Sequence, residues 1–405
     1  MPDDGRAVAE AAFRADWDAL AGIGRDPRSG GYRRFAWTRE DATLRAWFTA
    51  RAGALGMEVV TDRVGNLWAW SGDPDAAVAD GAAPLVLGSH LDSVPDGGAY
   101  DGPLGVVSAF AALELLRARG RAPARPVGIA CFADEEGARF GVACAGSRLL
   151  TGVLDPDRGR ALTDAQGTSV AEAMAAAGVD PAHVGRDEET LRRVGTFVEL
   201  HVEQGRALID DDAAVGVASA IWPHGRWRLD LAGRADHAGT TRLADRDDPM
   251  LPLATAVATA RAAAERHGSL ATIGKVDVRP NGVNAIPSRV TAWLDARGAD
   301  PDAVRRVVAE VSDAVGVPAA EESWTPSTDF DVPLRDRLAA LLGDVPVLPT
   351  GAGHDAGILA AAGVRSAMLF VRNPTGVSHS PEEHAEDADC VAGIAALAAV
   401  VEELA

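Results

Sequence analysis

Short apolar runs recur along the chain and stop abruptly at polar, chemically capable residues. Pro84-Leu-Val-Leu runs into Gly88-Ser-His-Leu-Asp, and Val127-Gly-Ile-Ala-Cys-Phe runs towards Asp134-Glu-Glu-Gly. Thr196-Phe-Val-Glu-Leu runs into His201-Val-Glu-Gln-Gly, and Met368-Leu-Phe-Val into Arg372-Asn-Pro-Thr-Gly. Runs of this length, bounded by Gly and Pro, predict buried strands. Between them, residues 103–119, 138–151 and 388–404 have the length and apolar spacing of helices. Strand alternating with helix predicts an α/β fold, a mainly parallel sheet flanked by helices. Ligands of such sheets gather beyond the carboxyl ends of the strands, which is where the polar clusters fall.

Residues 216–325 follow another pattern. A strand-like Arg226-Trp-Arg-Leu-Asp-Leu precedes a helix at 251–267, strands near 271–278 and 288–296, a helix at 301–315 and an extended piece near Glu322-Ser-Trp-Thr. This βαββαβ order predicts a small α+β domain inserted into the larger one. Placed at 214–327, it splits the larger domain into 1–213 and 328–405.

A length of 405 residues suits two domains. The 59 acidic against 39 basic side chains leave a net charge of -20, which repels phosphate backbones and anionic lipid. Nucleic acid and membrane are therefore not expected partners. Three cysteines make no disulfide framework, and no apolar run approaches the length that spans a bilayer. The first twenty residues lack the basic and apolar regions of a signal peptide, so a cytoplasmic protein is expected. No G-x-x-x-x-G-K-[ST] loop or G-x-S-x-G elbow is present, which argues against a nucleotide-driven enzyme or a serine hydrolase.

The strand ends supply a coherent set of donors. His90 and Asp92 form an H-x-D pair, Asp101 follows in Gly97-Gly-Ala-Tyr-Asp-Gly, Glu135 and Glu136 are adjacent, and His201 and His379 complete the set. Each fragment alone has a plainer reading: a surface pair, a solvated acidic face, a hydrogen-bonded structural histidine. Together, imidazoles mixed with carboxylates suit Zn2+, Mn2+ or a related divalent ion. Three histidines and two carboxylates can hold two ions if one carboxylate bridges them, and such a pair activates water and polarises a carbonyl. Adjacent glutamates point different ways, so one can ligate while the other acts as general base.

Seven blocks carry a resemblance: GSHLDSVPDGGAYDGPLGV, ADEEGARFG, ELHVEQG, ADHAGTT, RPNGVNAIPSRV, GAGHDAG and GVSHSPEE, in this order. They resemble the M20 metallohydrolases, and within them the branch of N-carbamoyl-L-amino-acid hydrolases, β-ureidopropionases and allantoate amidohydrolases. The resemblance spans residues 20 to 400 or so. It implies a zinc-peptidase-like catalytic domain with an inserted ferredoxin-like lid that forms a homodimer. It also implies two divalent ions, Zn2+ or Mn2+ with Co2+ or Ni2+ as substitutes. His90, Asp101 and His201 would hold one; Asp101, Glu136 and His379 the other. Glu135 would be the general base and Asp92 would orient His90. His237 would reach a neighbouring subunit's site, Asn284 and Arg297 would bind substrate, and Gln204, Gly353 and His354 would add contacts. The implied reaction is hydrolysis of the linear amide C–N bond of a ureido substrate bearing a carboxylate, an N-carbamoyl-L-amino acid or allantoate, with release of ammonia.

His201 replaces the acidic ligand of the peptidase members, which weighs against an M20 peptidase or an N-acyl-amino-acid deacylase. The intact Glu135-Glu136 pair weighs against a metal-binding protein without turnover. The chain departs from the branch at Arg242, where a proline is usual near His237, and at Asp134, where Asn is frequent. Of the remaining polar residues, His354-Asp355 also reads as a structural pair, and Glu382-Glu383 as charge at the start of the last helix.

Overall fold

The first six strands are β1 Glu58–Thr61, β2 Leu67–Ser71, β3 Leu85–His90, β4 Val127–Phe132, β5 Thr196–Val202 and β6 Val215–Ile221. A second group follows: β7 His224–Ala232, β8 Asp236–His237, β9 Leu270–Arg279, β10 Ala285–Ile286, β11 Arg289–Arg297 and β12 Ala320–Thr325. The last are β13 Thr328–Asp329, β14 Val347–Thr350 and β15 Arg365–Val371. These elements come from a computed structural model that describes residues 3–405. The chain divides into two compact units, one running to Ser219 and resuming at Asp329, the other Ala220–Thr328.

In the first unit a nine-stranded sheet has the order β1-β2-β4-β3-β5-β15-β6-β13, with β14 also paired to β6. Its centre is parallel, through β3 with β4, β3 with β5, and β5 with β15. Its margins are antiparallel, through β1 with β2, β2 with β4, and β6 with β15. β3 and β4 are buried along their whole length, as expected of strands covered on both faces, and so lack polar alternation. The helix Pro103–Ala118 is apolar nearly all round and lies against β3, β4 and β5. The helices Asp3–Leu20 and Asp387–Leu404 pack on it in turn. Because β4, β3, β5 and β15 run in the same direction, their carboxyl ends share one margin of the sheet. His90, the Glu135-Glu136 turn, His201 and the chain leading to His379 all emerge there.

The second unit has a four-stranded antiparallel sheet of order β12-β7-β11-β9. With the helices Met250–His267 and Pro301–Val315 its elements run βαββαβ, and the strand order is ferredoxin-like. β7 alternates: Trp227, Leu229 and Leu231 face inward while Arg226, Arg228 and Asp230 face outward. The inward set meets Leu253, Ala256, Ala260, Val304, Val308 and Val311 of the helices.

One expectation needs correction. The helix expected over 138–151 forms only as Ala145–Thr151. The residues before it turn: Gly137, Gly141 and Cys144 have φ of 60°, 83° and 53°. A Cβ on Gly137 would lie 2.3 Å from the Val142 carbonyl carbon, so the turn depends on glycine there. The insertion is expected over 214–327 to within several residues; β6 pairs Val217 with Leu369 of β15, and the compact units divide after Ser219. No helix among the described residues is long and apolar enough to cross a membrane.

Candidate metal centre

His90 closes β3 and is fully buried. Its Nδ1 lies 3.2 Å from the Asp92 carbonyl oxygen and 3.4 Å from Asp92 Oδ1. His201, on β5, places Nδ1 2.9 Å from the Val202 carbonyl. A carbonyl only accepts, so both rings carry the proton on Nδ1 and turn the Nε2 lone pair inward. Both Nε2 atoms are buried without a hydrogen-bond partner. They face Asp101 Oδ1 at 3.6 Å from His90 and 3.1 Å from His201. Gly102, at φ 85°, brings Asp101 this close: a Cβ there would sit 2.4 Å from His90 Cε1.

The other Asp101 oxygen faces a second set. His379 Nε2 lies 3.5 Å from Asp101 Oδ2 and 3.5 Å from Glu136 Oε2. Gln204 Nε2 donates to Asp101 Oδ2 at 2.8 Å, and Ser378 Oγ donates at 3.1 Å. Thus His90–Asp101–His201 and Asp101–Glu136–His379 are two donor groups, each with its ligand atoms within 4.8 Å of one another, and Asp101 belongs to both. Two unpartnered buried imidazole nitrogens opposed by carboxylate oxygens fit a divalent cation of the Zn2+ or Mn2+ type.

Glu135 lies beside these groups. Its Oε2 is 3.7 Å from His90 Nε2, and its Oε1 accepts from Cys144 Sγ at 3.1 Å. Asp92 ties the two strand ends together, accepting from the backbone N–H of Glu135 at 3.1 Å and of Glu136 at 3.0 Å. The region is crowded with buried charge. Burial lifts the Glu135 and Glu136 carboxyls well above the ordinary range; His90 draws Glu135 back down, while neighbouring carboxylates raise both. Burial alone would depress His90, but Glu135, Asp101 and Asp92 hold it well above its usual value. Burial would raise Asp101, yet His201 and His90 hold it well below. Burial and His201 push His354 well down, and burial with Glu199 pushes Asp355 up to about 8. A dense set of carboxyls and imidazoles displaced in this way is what a bound cation would neutralise.

Residues 86–403 match the peptidase family M20/M25/M40. The chain belongs to this family. An N-carbamoyl-L-amino acid amidohydrolase of Geobacillus stearothermophilus is 35% identical over 95% of this chain and 96% of its own length. An allantoate amidohydrolase of Escherichia coli (strain K12) is 31% identical over 95% and 96%. The crystal structure of an amidase of the hydantoinase/carbamoylase family from Burkholderia vietnamiensis superposes with a TM-score of 0.86 at 30% identity, covering 97% of each chain. As a member of the hydantoinase/carbamoylase branch of M20, the protein is a metallohydrolase of carbon–nitrogen bonds.

Within this M20 enzyme the remaining residues fall as follows. His354 is buried, its ring centroid 4.5 Å from that of His201 and its Nε2 unpartnered. The His354-Asp355 pair is not formed: Asp355 Oδ1 accepts instead from Ser147 Oγ at 2.5 Å. Gly353 is exposed just before the helix Asp355–Ala361. Glu382 and Glu383 do not cap the last helix, whose first flanking residue is Glu386; Glu383 is buried and bonds to Tyr100 and Asp101. In the second unit, exposed His237 pairs with Ala285 across β8 and β10, and the Ala238 N–H donates to the Asn284 carbonyl at 2.9 Å. Arg297 ends β11 and holds Asp295 with two of its nitrogens. Arg242 is exposed and ion-paired to Asp245. Asp134 is buried at φ 53°.

Four residues escaped the sequence reading. Glu199 is fully buried in β5, where it accepts from Ser89 Oγ at 2.8 Å and from the Ala356 N–H at 2.9 Å. A charge inside the apolar run Thr196-Phe-Val-Glu-Leu was the available signal. Cys144 had none, since its partner is set by a turn; Ser378 and Glu383 lie in the GVSHSPEE block, but Glu383 read as charge near the last helix because its partners are distant in sequence.

Proposed function

We propose that this M20 enzyme hydrolyses the linear amide of a ureido compound that bears a carboxylate, an N-carbamoyl-L-amino acid or allantoate, and releases ammonia. The observation that carries this reading is the sharing of Asp101 by two donor groups, with Glu135 beside them. His90, Asp101 and His201 would hold one divalent ion; Asp101, Glu136 and His379 would hold the other. When bound, the ions supply Lewis acidity: they make water easier to deprotonate and polarise the substrate carbonyl. Glu135 takes the proton of the attacking water. Cys144 occupies its Oε1, so Oε2 is the oxygen that accepts. Oxygen adds to the ureido carbon, one C–N bond breaks, and Glu135 returns the proton to the leaving nitrogen; the carbamic acid left behind then breaks its remaining C–N bond by losing carbon dioxide, which frees the second nitrogen. Products are ammonia, carbon dioxide and the amino acid, or ureidoglycine when allantoate is the substrate.

The second unit supplies recognition. Arg297 pairs with the substrate carboxylate as a planar fork, exchanging Asp295 for it. His237 of a partner subunit donates to the developing oxyanion. The register supports two chains sharing a site. Arg289 pairs with Ala232 at one end of β11 and Arg297 with His224 at the other. Eight residues of strand span about 26 Å, so His237 and Asn284 lie at the end of the sheet away from Arg297 and cannot grip one small substrate with it. A homodimer through this unit would bring His237 and Asn284 of one chain to the substrate held by Arg297 of the other.

The test is ammonia release from allantoate, N-carbamoyl-β-alanine and several N-carbamoyl-L-amino acids after chelation, with Mn2+, Zn2+ or Co2+ added back. Dipeptide hydrolysis faster than every ureido substrate would replace this reading with a peptidase. A fully loaded protein inert to ureido, acyl and peptide substrates would end it.

A further inference from the structure

Glu383 lies 282 residues from Asp101 in sequence and is joined to it by a hydrogen bond. Its Oε1 accepts from the backbone N–H of Tyr100 at 2.8 Å and of Asp101 at 2.9 Å. Its Oε2 accepts from Ser378 Oγ at 3.3 Å. The single hydroxyl proton of Ser378 is shared between Glu383 Oε2 and Asp101 Oδ2, and its oxygen receives Gln204 Nε2 at 3.1 Å. One carboxylate therefore links the loop that carries Asp101 to the turn that carries His379. The link matters most for His379. That residue sits at φ 56°, a left-handed conformation costly for a side chain bearing Cβ, and its side chain is 53% exposed. His90 and His201, by contrast, are held within strands and buried. The loop is also shaped around Glu383: a Cβ on Gly98 would lie 2.4 Å from Glu383 Cβ and 2.6 Å from its Oε1.

We propose that Glu383 is a positioning residue for the Asp101–Glu136–His379 ion, fixing the shared aspartate and the His379 turn relative to each other. The inference rests on the two-ion reading above. It assigns the carboxylate no contact with substrate. Loss of a residue that orients metal ligands typically weakens the ion about 10–100-fold.

Calorimetric titration of the metal-stripped full chain with Zn2+ tests it, with a thermal melt for each variant. Wild type should bind two ions. Glu383→Ala should weaken one binding event about 10–100-fold and leave the other unchanged. Glu383→Gln keeps an oxygen for both N–H groups and should restore wild-type binding. Gly98→Ala, which pushes Glu383 aside, should reproduce the Ala variant. Two wild-type affinities in a folded Glu383→Ala would overturn the proposal. So would an unfolded Glu383→Ala together with a Gly98→Ala that keeps both ions, since Glu383 would then serve the fold alone. Ammonia release by wild type separates the two readings: two ions without ureido turnover would sink the proposed reaction and leave the role of Glu383 standing.

Discussion

Glu135→Gln removes one function while preserving shape. The amide oxygen can keep the Cys144 thiol at the place of Oε1, and the amide nitrogen takes the place of Oε2, 3.7 Å from His90 Nε2. An amide does not take a proton near neutral pH, so the base is lost and little else. A positioned base contributes about 10²–10⁴ in rate, or about 2.7–5.4 kcal/mol at 1.36 kcal/mol per decade. The loss should fall on kcat with KM little changed, because the proton moves only in the transition state. Stability should not fall. Burial opposes ionisation of this carboxyl, His90 favours it, and Asp355, Glu136 and Asp92 oppose it, so a neutral amide gives up one attraction and several repulsions. The measurements are kcat for ammonia release, ions per chain by elemental analysis, and melting temperature. A loss below tenfold would place the base elsewhere. Loss of an ion with the activity would make Glu135 a ligand.

Four further outcomes are expected. Gly102→Ala should weaken metal binding and lower the melting temperature: its φ of 85° costs a Cβ-bearing residue about 1–2 kcal/mol, and the new atom would meet the His90 ring, so metal retention through dialysis and a thermal melt report both. Chelation should lower the melting temperature, since each ion present at a hundred times its Kd contributes about 2.7 kcal/mol; an unchanged melt would argue against tight sites. Arg297→Ala should raise KM for carboxylate-bearing ureido substrates about tenfold or more, from the loss of a charge-assisted pair, and an equal KM would remove Arg297 from recognition. Exchange of subunits between Glu135→Gln and His237→Ala dimers should recover about a quarter of wild-type activity, because half of the dimers would be mixed and each would hold one intact site of two. No recovery despite proven exchange would refute a shared site.

The parallel centre of the sheet was legible because β3, β4, β5 and β15 are covered on both faces, which leaves mainly apolar runs, broken in β5 by Glu199. The donors were legible because the runs end in them or lead into loops that carry them, and parallel strands bring like ends together. The second unit was legible for the opposite reason, since β7 alternates inward and outward along its length. The stretch before Ala145 was not. Its apolar spacing resembles that of a helix, but Gly137 and Gly141 take positive φ and carry the chain back towards Glu135.

Two of the residues that escaped reading, Glu199 and Glu383, share one physical character: polar side chains whose partners are backbone N–H groups far away in sequence. Glu199 takes the Ala356 N–H across 157 residues, and Glu383 takes the N–H groups of Tyr100 and Asp101 across more than 280. Apolar periodicity reports which face a residue buries and nothing about which distant amide it will accept from. A buried carboxylate with such a partner costs far less than one without, so it persists where it orders a loop. Each of these two carboxylates stands one bond removed from a proposed ligand strand or loop: Glu199 two residues before His201 on β5, Glu383 on the backbone of Asp101. Ligands can be found from residue type and strand position. The groups that aim them depend on loop closure, and only the folded chain reveals them.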